Sequence, residues 1–310
     1  MKIRSLIAIV LALLEQFGAV VDAESALDKY EEMVELEGGE FWKGTDADNA
    51  KEGEYPAVFT SVGPFKINKY PVTNYHFRKF VREQNYKTTA EEFGWSFVFE
   101  DFVSEEVKAG VTEKLPNAEW WLPVQRAYWR QPEGKGSSIQ NRLNYPAVHI
   151  SYLDADAYCK WKGLRLPTDE EWEFAARGGL SKKTYPWGSK YEKKRMNIWQ
   201  GKFPKENKAL DGYAGVAPVD AFEPQNKYGM YDMVGNVWEW TSTTFTPGGE
   251  GAGVKYTLRG GSFVDSSDGS FNHPARTSTK MGNEPDAGSN NIGFRCAADV
   301  SDEEDGKDEL

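Results

Sequence analysis

The chain has 310 residues, of which 48 are acidic and 37 basic, and its formal net charge at pH 7 is -11. This excess of carboxylates argues against a nucleic acid as the partner, because neutralising phosphates requires clustered lysine and arginine. The length is sufficient for one large domain or two small ones, and no linker rich in proline or glycine divides the sequence.

Residues 1–23 have the order of parts of a secretory signal peptide. Lys2 and Arg4 precede an apolar run at 6–14, and Ala23 offers a small residue for cleavage. The run is about half as long as the roughly 20 apolar residues that a membrane span requires, so we expect no membrane anchor. The alternative is a buried first helix, which would show polar residues at helical spacing.

Residues 301–310 form an acidic tail that ends in Lys307, Asp308, Glu309 and Leu310. At a C-terminus these four residues are the signal by which receptors retrieve proteins to the endoplasmic reticulum. Together with the predicted leader, they indicate a protein of the endoplasmic reticulum lumen. Residues 24–300 then make up the folded domain.

The first half of this domain contains two strand-like segments and one clear helix. Residues 38–44 and 57–67 are typical of short strands and turns. Thr73 is a favourable N-cap for a helix whose apolar face includes Phe77 and Phe80. Residues 91–144 are rich in aromatic side chains but lack periodicity, so we expect a long irregular segment there.

The clearest local signals follow residue 144. Strand-like residues 146–150 lead to two capping-box patterns, Ser151 with Asp154 and Thr168 with Glu171, and each predicts the start of a helix. Beyond residue 179 the pattern indicates loops and short strands. We therefore predict an α+β fold, a loop-rich single domain with two or three helices.

The chain contains two cysteines, Cys159 and Cys296. An even count in an oxidising compartment favours a single structural disulfide. The alternative is a pair of free thiols used in redox chemistry.

A series of motifs covers nearly the whole of residues 24–300. Together these segments resemble the formylglycine-generating enzyme (sulfatase-modifying factor) family, in the family's order. The resemblance implies a loop-rich fold related to C-type lectins, and it implies that Cys159 and Cys296 pair as the family's disulfide. The matching segments are Gly-Gly-Glu-Phe at 38–41, Pro-Val-Thr-Asn at 71–74, residues 154–161 and 164–179, Asn-Ile-Trp-Gln-Gly at 197–201, Val-Gly-Asn-Val-Trp-Glu-Trp at 234–240, Arg-Gly-Gly-Ser at 259–262 and Gly-Phe-Arg-Cys at 293–296.

One departure from the family pattern predicts a loss of activity. The family's oxidases carry a cysteine pair after the Arg-Gly-Gly-Ser motif, which binds copper and engages the substrate thiol. Asp265 and Ser270 occupy those positions here, and neither can bind copper(I) as a thiolate or exchange disulfides. We therefore expect no formylglycine formation and no copper.

The resemblance is then to a non-catalytic branch of the family. It implies a protein that binds sulfatase polypeptides and restrains their activation, as a homodimer or as a heterodimer with the active enzyme. The expected peptide-binding groove includes Trp238, Ser262, Asp265 and Ser270.

The resemblance also implies one or two Ca²⁺ ions, bound by side-chain and backbone oxygens. Without the resemblance, the aspartates and asparagines involved would be interpreted as turn formers. The first expected site uses Asn197, the Ile198 carbonyl, Asp211 and the Tyr213 carbonyl, and the second uses Asp232, the Gly235 and Val237 carbonyls and Glu239.

Two other functions remain open. Asp265, Asp268, Ser270 and His273 contain the groups for an enzyme with altered chemistry. The lectin-related fold and the Glu-Pro-Asp sequence at 284–286 suggest a calcium-dependent module that binds glycans or proteins. The three histidines lack the spacing of a zinc site, and His149 is expected to be a packed or hydrogen-bonded core residue.

Overall fold

The computed structural model describes residues 25–51, 53–112, 115–116, 118–246, 253–270 and 272–300. The predicted signal peptide and acidic tail lie outside these residues. In the part of the chain that is described, no helix is long and apolar enough to cross a membrane.

Five α-helices occur in the described residues, and each follows a serine or threonine. The hydroxyl of this residue accepts a hydrogen bond from the backbone N–H three positions later, which satisfies a donor that the first helical turn leaves free. The two capping boxes predicted at Ser151 and Thr168 are both present. The helices are α1 Asn74–Gln84, α2 Thr89–Phe93, α3 Glu105–Gly110, α4 Tyr152–Trp161 and α5 Asp169–Arg177.

The strands form two small sheets and three two-stranded ribbons. The larger sheet has the order β11-β10-β9-β12, and β12 runs parallel to the central strand β9. The smaller sheet has the order β1-β4-β13, and the ribbons are β2-β3, β5-β6 and β7-β8. The strands are β1 Met33–Leu36, β2 Gly39–Lys43, β3 Val58–Val62, β4 Phe65–Asn68, β5 Trp95–Phe99, β6 Trp121–Gln125, β7 Gly201–Lys202, β8 Glu206–Asn207, β9 Trp238–Thr244, β10 Tyr256–Arg259, β11 Lys280–Asn283, β12 Ile292–Phe294 and β13 Ala297–Asp299.

The main core lies between helices α1 and α4 and the four-stranded sheet. Phe77 from α1 meets Tyr158 from α4 and Phe294 from β12, and each of these rings is almost fully buried. Cys159 and Cys296 form a disulfide across 137 residues of sequence, which confirms the predicted pairing. In the chain-entropy model a loop of this length stabilises the fold by at most about 5 kcal/mol.

Two expectations about local structure were wrong. Residues 91–144 are not one irregular segment, because they contain the C-terminal end of α2 together with β5, α3 and β6. Residues 146–150 do not form a strand: Pro146 makes one isolated bridge to Thr73, and His149 has a φ of 60°. Proline lacks the N–H that a strand ladder needs, and a left-handed residue ends an extended segment. With five α-helices in the described residues, the helix count also exceeds the expected two or three.

Candidate functional site

The turn after β10 positions the residues of the expected groove. Gly260 and Gly261 have φ values of 90° and 76°, a conformation that side chains with a Cβ rarely adopt. A Cβ at Gly260 would lie 2.8 Å from the Met233 carbonyl oxygen and 3.1 Å from the Trp172 ring. The two glycines therefore allow the chain to pass close to its neighbours and deliver Ser262 and Asp265 to one place.

The Asp265 carboxylate is buried and held by three donors. Its Oδ2 accepts hydrogen bonds from the Ser262 backbone N–H and from the Ser262 hydroxyl, each at 2.8 Å. Its Oδ1 accepts from the His273 backbone N–H at 3.2 Å and lies 3.4 Å from His273 Nδ1. Asn291 donates to the Ser262 hydroxyl at 2.9 Å. This carboxylate therefore fixes the loop that follows it.

Asp265 and His273 lie at the edge of a cavity of about 440 Å³. The Trp238 ring also lines it and meets the His273 ring edge-on, with 5.0 Å between centroids. Among the described residues no lysine or arginine lines this cavity, whereas Asp265 and Glu284 do. The walls are otherwise mainly apolar and aromatic, including Phe97, Leu115, Trp120, Trp121, Val264, Met281 and Ile292.

The structure brings together three of the four expected groove residues. Trp238 and Asp265 line the cavity, and the fully buried Ser262 supports Asp265 from behind. Ser270 lies elsewhere: its hydroxyl donates to Asp268 on an exposed turn, and it lines a separate cavity of about 340 Å³. The group proposed for altered chemistry is divided in the same way, since Asp265 contacts His273 while Asp268 contacts Ser270.

The aromatic wall was not recognised in the sequence. Phe97 comes from β5, and Trp120 and Trp121 lie at the start of β6, within the segment expected to be irregular. The alternation of Trp95, Phe97 and Phe99 is the period of a strand and could have indicated β5. Thr88 and Glu91 form a capping box that would have located α2.

No thiol is available at this cavity. The chain has two cysteines, and both are in the disulfide. His149 is also remote from thiol or metal chemistry, because its ring is buried and hydrogen-bonded to the Ser96 hydroxyl and the Pro132 carbonyl. That environment confirms the predicted core role, and burial lowers the pKa of His149 to about 4.

The four residues of the first expected calcium site lie together. Asp211 accepts hydrogen bonds from the backbone N–H groups of Ile198, at 3.1 Å, and Tyr213, at 3.0 Å. Asn197 is fully buried, and its Oδ1 has no hydrogen-bond partner in the described part of the chain. Burial raises the pKa of Asp211, so a cation would compensate a carboxylate that is costly to desolvate. This donor set fits Ca²⁺, which prefers oxygen ligands.

The second expected site is built differently. Asp232 is buried and accepts a hydrogen bond from Asn236 at 2.7 Å. Both Glu239 oxygens are already bound by Arg295, at 2.6 and 2.7 Å, and one also accepts from the Trp172 indole at 2.8 Å. A dication at Glu239 would face the guanidinium of Arg295, so this donor set does not fit Ca²⁺ as it stands. No group of three His, Cys, Asp or Glu side chains that could hold a metal occurs within the described ranges.

Asn236 connects the two sites. Its Oδ1 accepts from Asn197 at 3.0 Å, and its Nδ2 donates to Asp232. Gly235 precedes it with a φ of 88°, and a Cβ there would lie 2.5 Å from the Asn197 carbonyl oxygen. The Val-Gly-Asn segment thus packs directly against the first site.

Comparison with known proteins first defines the fold. PvdO from Pseudomonas aeruginosa matches with a TM-score of 0.59 at 24% identity, over 86% of this chain and 94% of that one. CarF matches with a TM-score of 0.53 at 20% identity, over 87% and 98%. The chain therefore has the loop-rich α+β fold of these proteins.

The sequence comparisons define the family. A model described as "Sulfatase-modifying factor enzyme 1-like domain" matches residues 18–300. The inactive C-alpha-formylglycine-generating enzyme 2 of Bos taurus is 56% identical over 266 residues, covering 86% of this chain and 87% of that protein. The formylglycine-generating enzyme of Mus musculus is 47% identical over 281 residues, covering 86% and 75%. The chain belongs to the sulfatase-modifying factor family, as its motifs indicated.

Proposed function

We propose that this chain is a non-catalytic member of its family that binds sulfatase polypeptides in the cavity beside Trp238 and Asp265. The observation that carries the proposal is an aromatic-walled cavity without a thiol. Relatives more than half identical to the chain are named inactive formylglycine-generating enzymes, in Bos taurus and Mus musculus. The chain is a pseudoenzyme for formylglycine formation. Binding copper(I) and engaging the substrate thiol both need a free cysteine, which the chain lacks.

The cavity has the properties of a site for an extended peptide. Its aromatic walls suit apolar side chains, and Asp265 and Glu284 favour a basic residue in the partner. Met281 and Asn283 belong to β11, an edge strand of the larger sheet, and both line the cavity. Edge strands offer backbone groups to which an extended peptide can pair. Backbone pairing with side-chain pockets would hold a sulfatase segment without changing it.

The proposal extends to location, metal and assembly. The predicted leader at 1–23 and the predicted retrieval signal at 307–310 support residence in the endoplasmic reticulum lumen. The Asn197 Oδ1 atom, which has no hydrogen-bond partner among the described residues, supports one Ca²⁺ at the first site. By binding the sulfatase segment, this protein would keep it from the active enzyme and so restrain sulfatase activation. It would act as a monomer, as a homodimer or as a heterodimer with the active enzyme.

The test uses a labelled peptide of the form Cys-x-Pro-x-Arg and the purified protein, with oxygen and copper present. We expect saturable binding with a Kd of about 1 mM or tighter and a peptide whose mass is unchanged. Formylglycine in the product would contradict the loss of catalysis. A failure to bind at millimolar peptide would contradict the assignment of the cavity.

Two variants locate the binding. Ala287→Trp places a large ring at the cavity lining and should abolish binding, whereas Val254→Trp, at an exposed position outside the lining, should not. Glu284→Gln removes an exposed rim charge and should weaken binding of the arginine peptide about threefold. The matched change Glu223→Gln should leave it unaltered.

A further inference from the structure

A polar cavity of about 230 Å³ lies beneath the loop that joins β2 to β3, and none of its lining residues lines the cavity beside Trp238. Four cationic side chains line it, although the chain as a whole carries a net charge of -11. Hydroxyl groups of two threonines and a serine line it too. In the described part of the chain, the lining cations are Arg177, Lys182, Lys183 and Arg276, the hydroxyls belong to Thr45, Thr184 and Ser278, and the one lining carboxylate is Asp46.

Arg177 is the residue that makes this cavity unusual. Its side chain is 4% exposed. Nη2 donates to the Gly44 carbonyl at 2.8 Å and to Glu173 at 2.5 Å, and Nε donates to Glu173 at 2.9 Å. Nη1 is buried and has no hydrogen-bond partner in the described ranges. A buried donor on a charged group is costly to leave unpaired, so the cavity needs an acceptor.

The neighbouring carboxylates do not neutralise the cavity. Glu173 is divided between Arg177 and Arg259, and Glu54 is bound by Arg276 at 2.5 Å. Asp46 lies 3.7 Å from Lys182. Among the residues that the structure describes, the four lining cations therefore face three carboxylates, and one positive charge remains.

The carbonyl groups at the end of helix α5 are not the missing acceptor. Arg177 is the last residue of this helix, and free carbonyl groups at a helix C-terminus would repel an anion. The Asn226 side chain donates to the carbonyls of Ala175 and Ala176, at 2.8 and 3.0 Å, and so covers them. Lys182 and Lys183, just beyond the helix, are exposed at the rim and can approach a ligand from solvent.

We propose that this cavity binds a tetrahedral oxyanion, sulfate or phosphate, through Arg177 Nη1, the two rim lysines and the lining hydroxyls. Its volume is smaller than that of a pocket for a drug-sized molecule and suits one such ion with its waters. Charge-assisted hydrogen bonds from a guanidinium are the strongest that a protein offers to these ions. The ion arrives either free or as the monoester of a sugar or peptide.

Calorimetric titration with inorganic sulfate and inorganic phosphate, at constant ionic strength against chloride, tests the site. We expect one ion per chain with a Kd of about 1 mM or tighter, and NMR shifts at the amides of Gly44, Thr45 and Thr184. A sulfated monosaccharide and phosphoserine are then compared with the inorganic ions. Monoesters that bind as well identify an ion carried on a larger molecule, and monoesters that are excluded identify a free ion.

Lys183→Gln changes only an exposed side chain and should weaken binding about tenfold. Lys205→Gln, an exposed lysine of the β7-β8 ribbon outside the cavity, should have no effect. Arg177→Gln should abolish binding if the protein folds. If it does not fold, the comparison of Lys183→Gln with Lys205→Gln tests the site. Absence of heat and of localised shifts, or equal weakening by Lys183→Gln and Lys205→Gln, would overturn the proposal. Neither outcome bears on peptide binding beside Trp238.

Discussion

The two expected calcium sites share Asn236 but differ in what surrounds their carboxylates. At the first site Asp211 accepts only backbone N–H groups, and the nearby Asn197 Oδ1 has no partner among the described residues. At the second site Glu239 already forms a two-point ion pair with Arg295. Asp211 therefore has no cationic side chain bound to it among the described residues, whereas Arg295 already compensates the charge of Glu239.

The pairing of Glu239 gives the largest expected effect. Glu239→Gln leaves Arg295 as an uncompensated buried charge and should lower the free energy of unfolding by about 3–5 kcal/mol. Because the partner is an arginine and not an ion, the loss should be equal with calcium and with a chelator. Urea denaturation of the variant measures it, with Glu223→Gln, an exposed residue, as the control. A loss that disappears in chelator would make Glu239 a calcium ligand instead.

Asp232 provides a second test of the same site through pH. In an unfolded chain its carboxyl ionises near about 3.9, and burial raises its pKa to about 7 in the folded protein. Between these values the folded state holds a proton that the unfolded state has released, so the free energy of unfolding falls as pH rises. The fall should be at most about 1.4 kcal/mol per pH unit from pH ~4 to ~7, and it should end above that range.

The measurement is a series of urea titrations across this range in calcium-free buffer. Asp232→Asn should flatten the curve by the contribution of one group. Because the pKa of Asp211 at the first site is also raised, the effect of calcium is measured in Asp211→Asn. If calcium binds at Asp232, saturating calcium should flatten the curve of this variant, because the cation keeps the Asp232 carboxylate ionised. An unchanged slope in calcium agrees with a second site that holds no cation, and an Asp232→Asn variant that keeps the full slope would assign the pH dependence to another group.

The sequence predicted local features of these regions better than distant ones. Capping boxes at Ser151 and Thr168 involve residues three positions apart, so their chemistry can be recognised in the sequence. Glu239 meets Arg295 across 56 residues, and no local pattern indicates that contact. The family resemblance supplied the ligand positions but not the arginine beside them.

The groove, too, could be predicted from the sequence only where its residues are close along the chain. Ser262 and Asp265 are three residues apart and contact each other as expected. Ser270 is only five positions further along the chain, yet the Gly269 turn, with a φ of 68°, directs it to an exposed surface next to Asp268. The aromatic wall from β5 and β6 depends on long-range packing, such as the bridge between Phe97 and Ser289.

The first calcium site gives a smaller expected effect on stability. An ion that binds only the folded state adds about 2.7 kcal/mol at a concentration 100 times its Kd. Asp211→Asn removes the charge at this site and should abolish most of the calcium-dependent rise in Tm. Asp48→Asn, at an exposed position, should preserve the rise. A Tm of the wild-type protein that does not respond to calcium would contradict the site.

The smallest expected effect separates a backbone ligand from a side-chain ligand at the same site. Tyr213 is expected to offer its carbonyl oxygen, while its ring packs edge-on against Phe222 with 5.9 Å between centroids. Tyr213→Phe keeps the backbone and the ring, so it should change the free energy of unfolding by about 0.5 kcal/mol or less. The calcium-dependent rise in Tm should stay as in the wild type, in contrast to its loss in Asp211→Asn. Since the two residues are joined by the hydrogen bond from the Tyr213 N–H to Asp211, a loss of the rise in Tyr213→Phe would show that the phenol hydroxyl, and not the carbonyl, interacts with the ion.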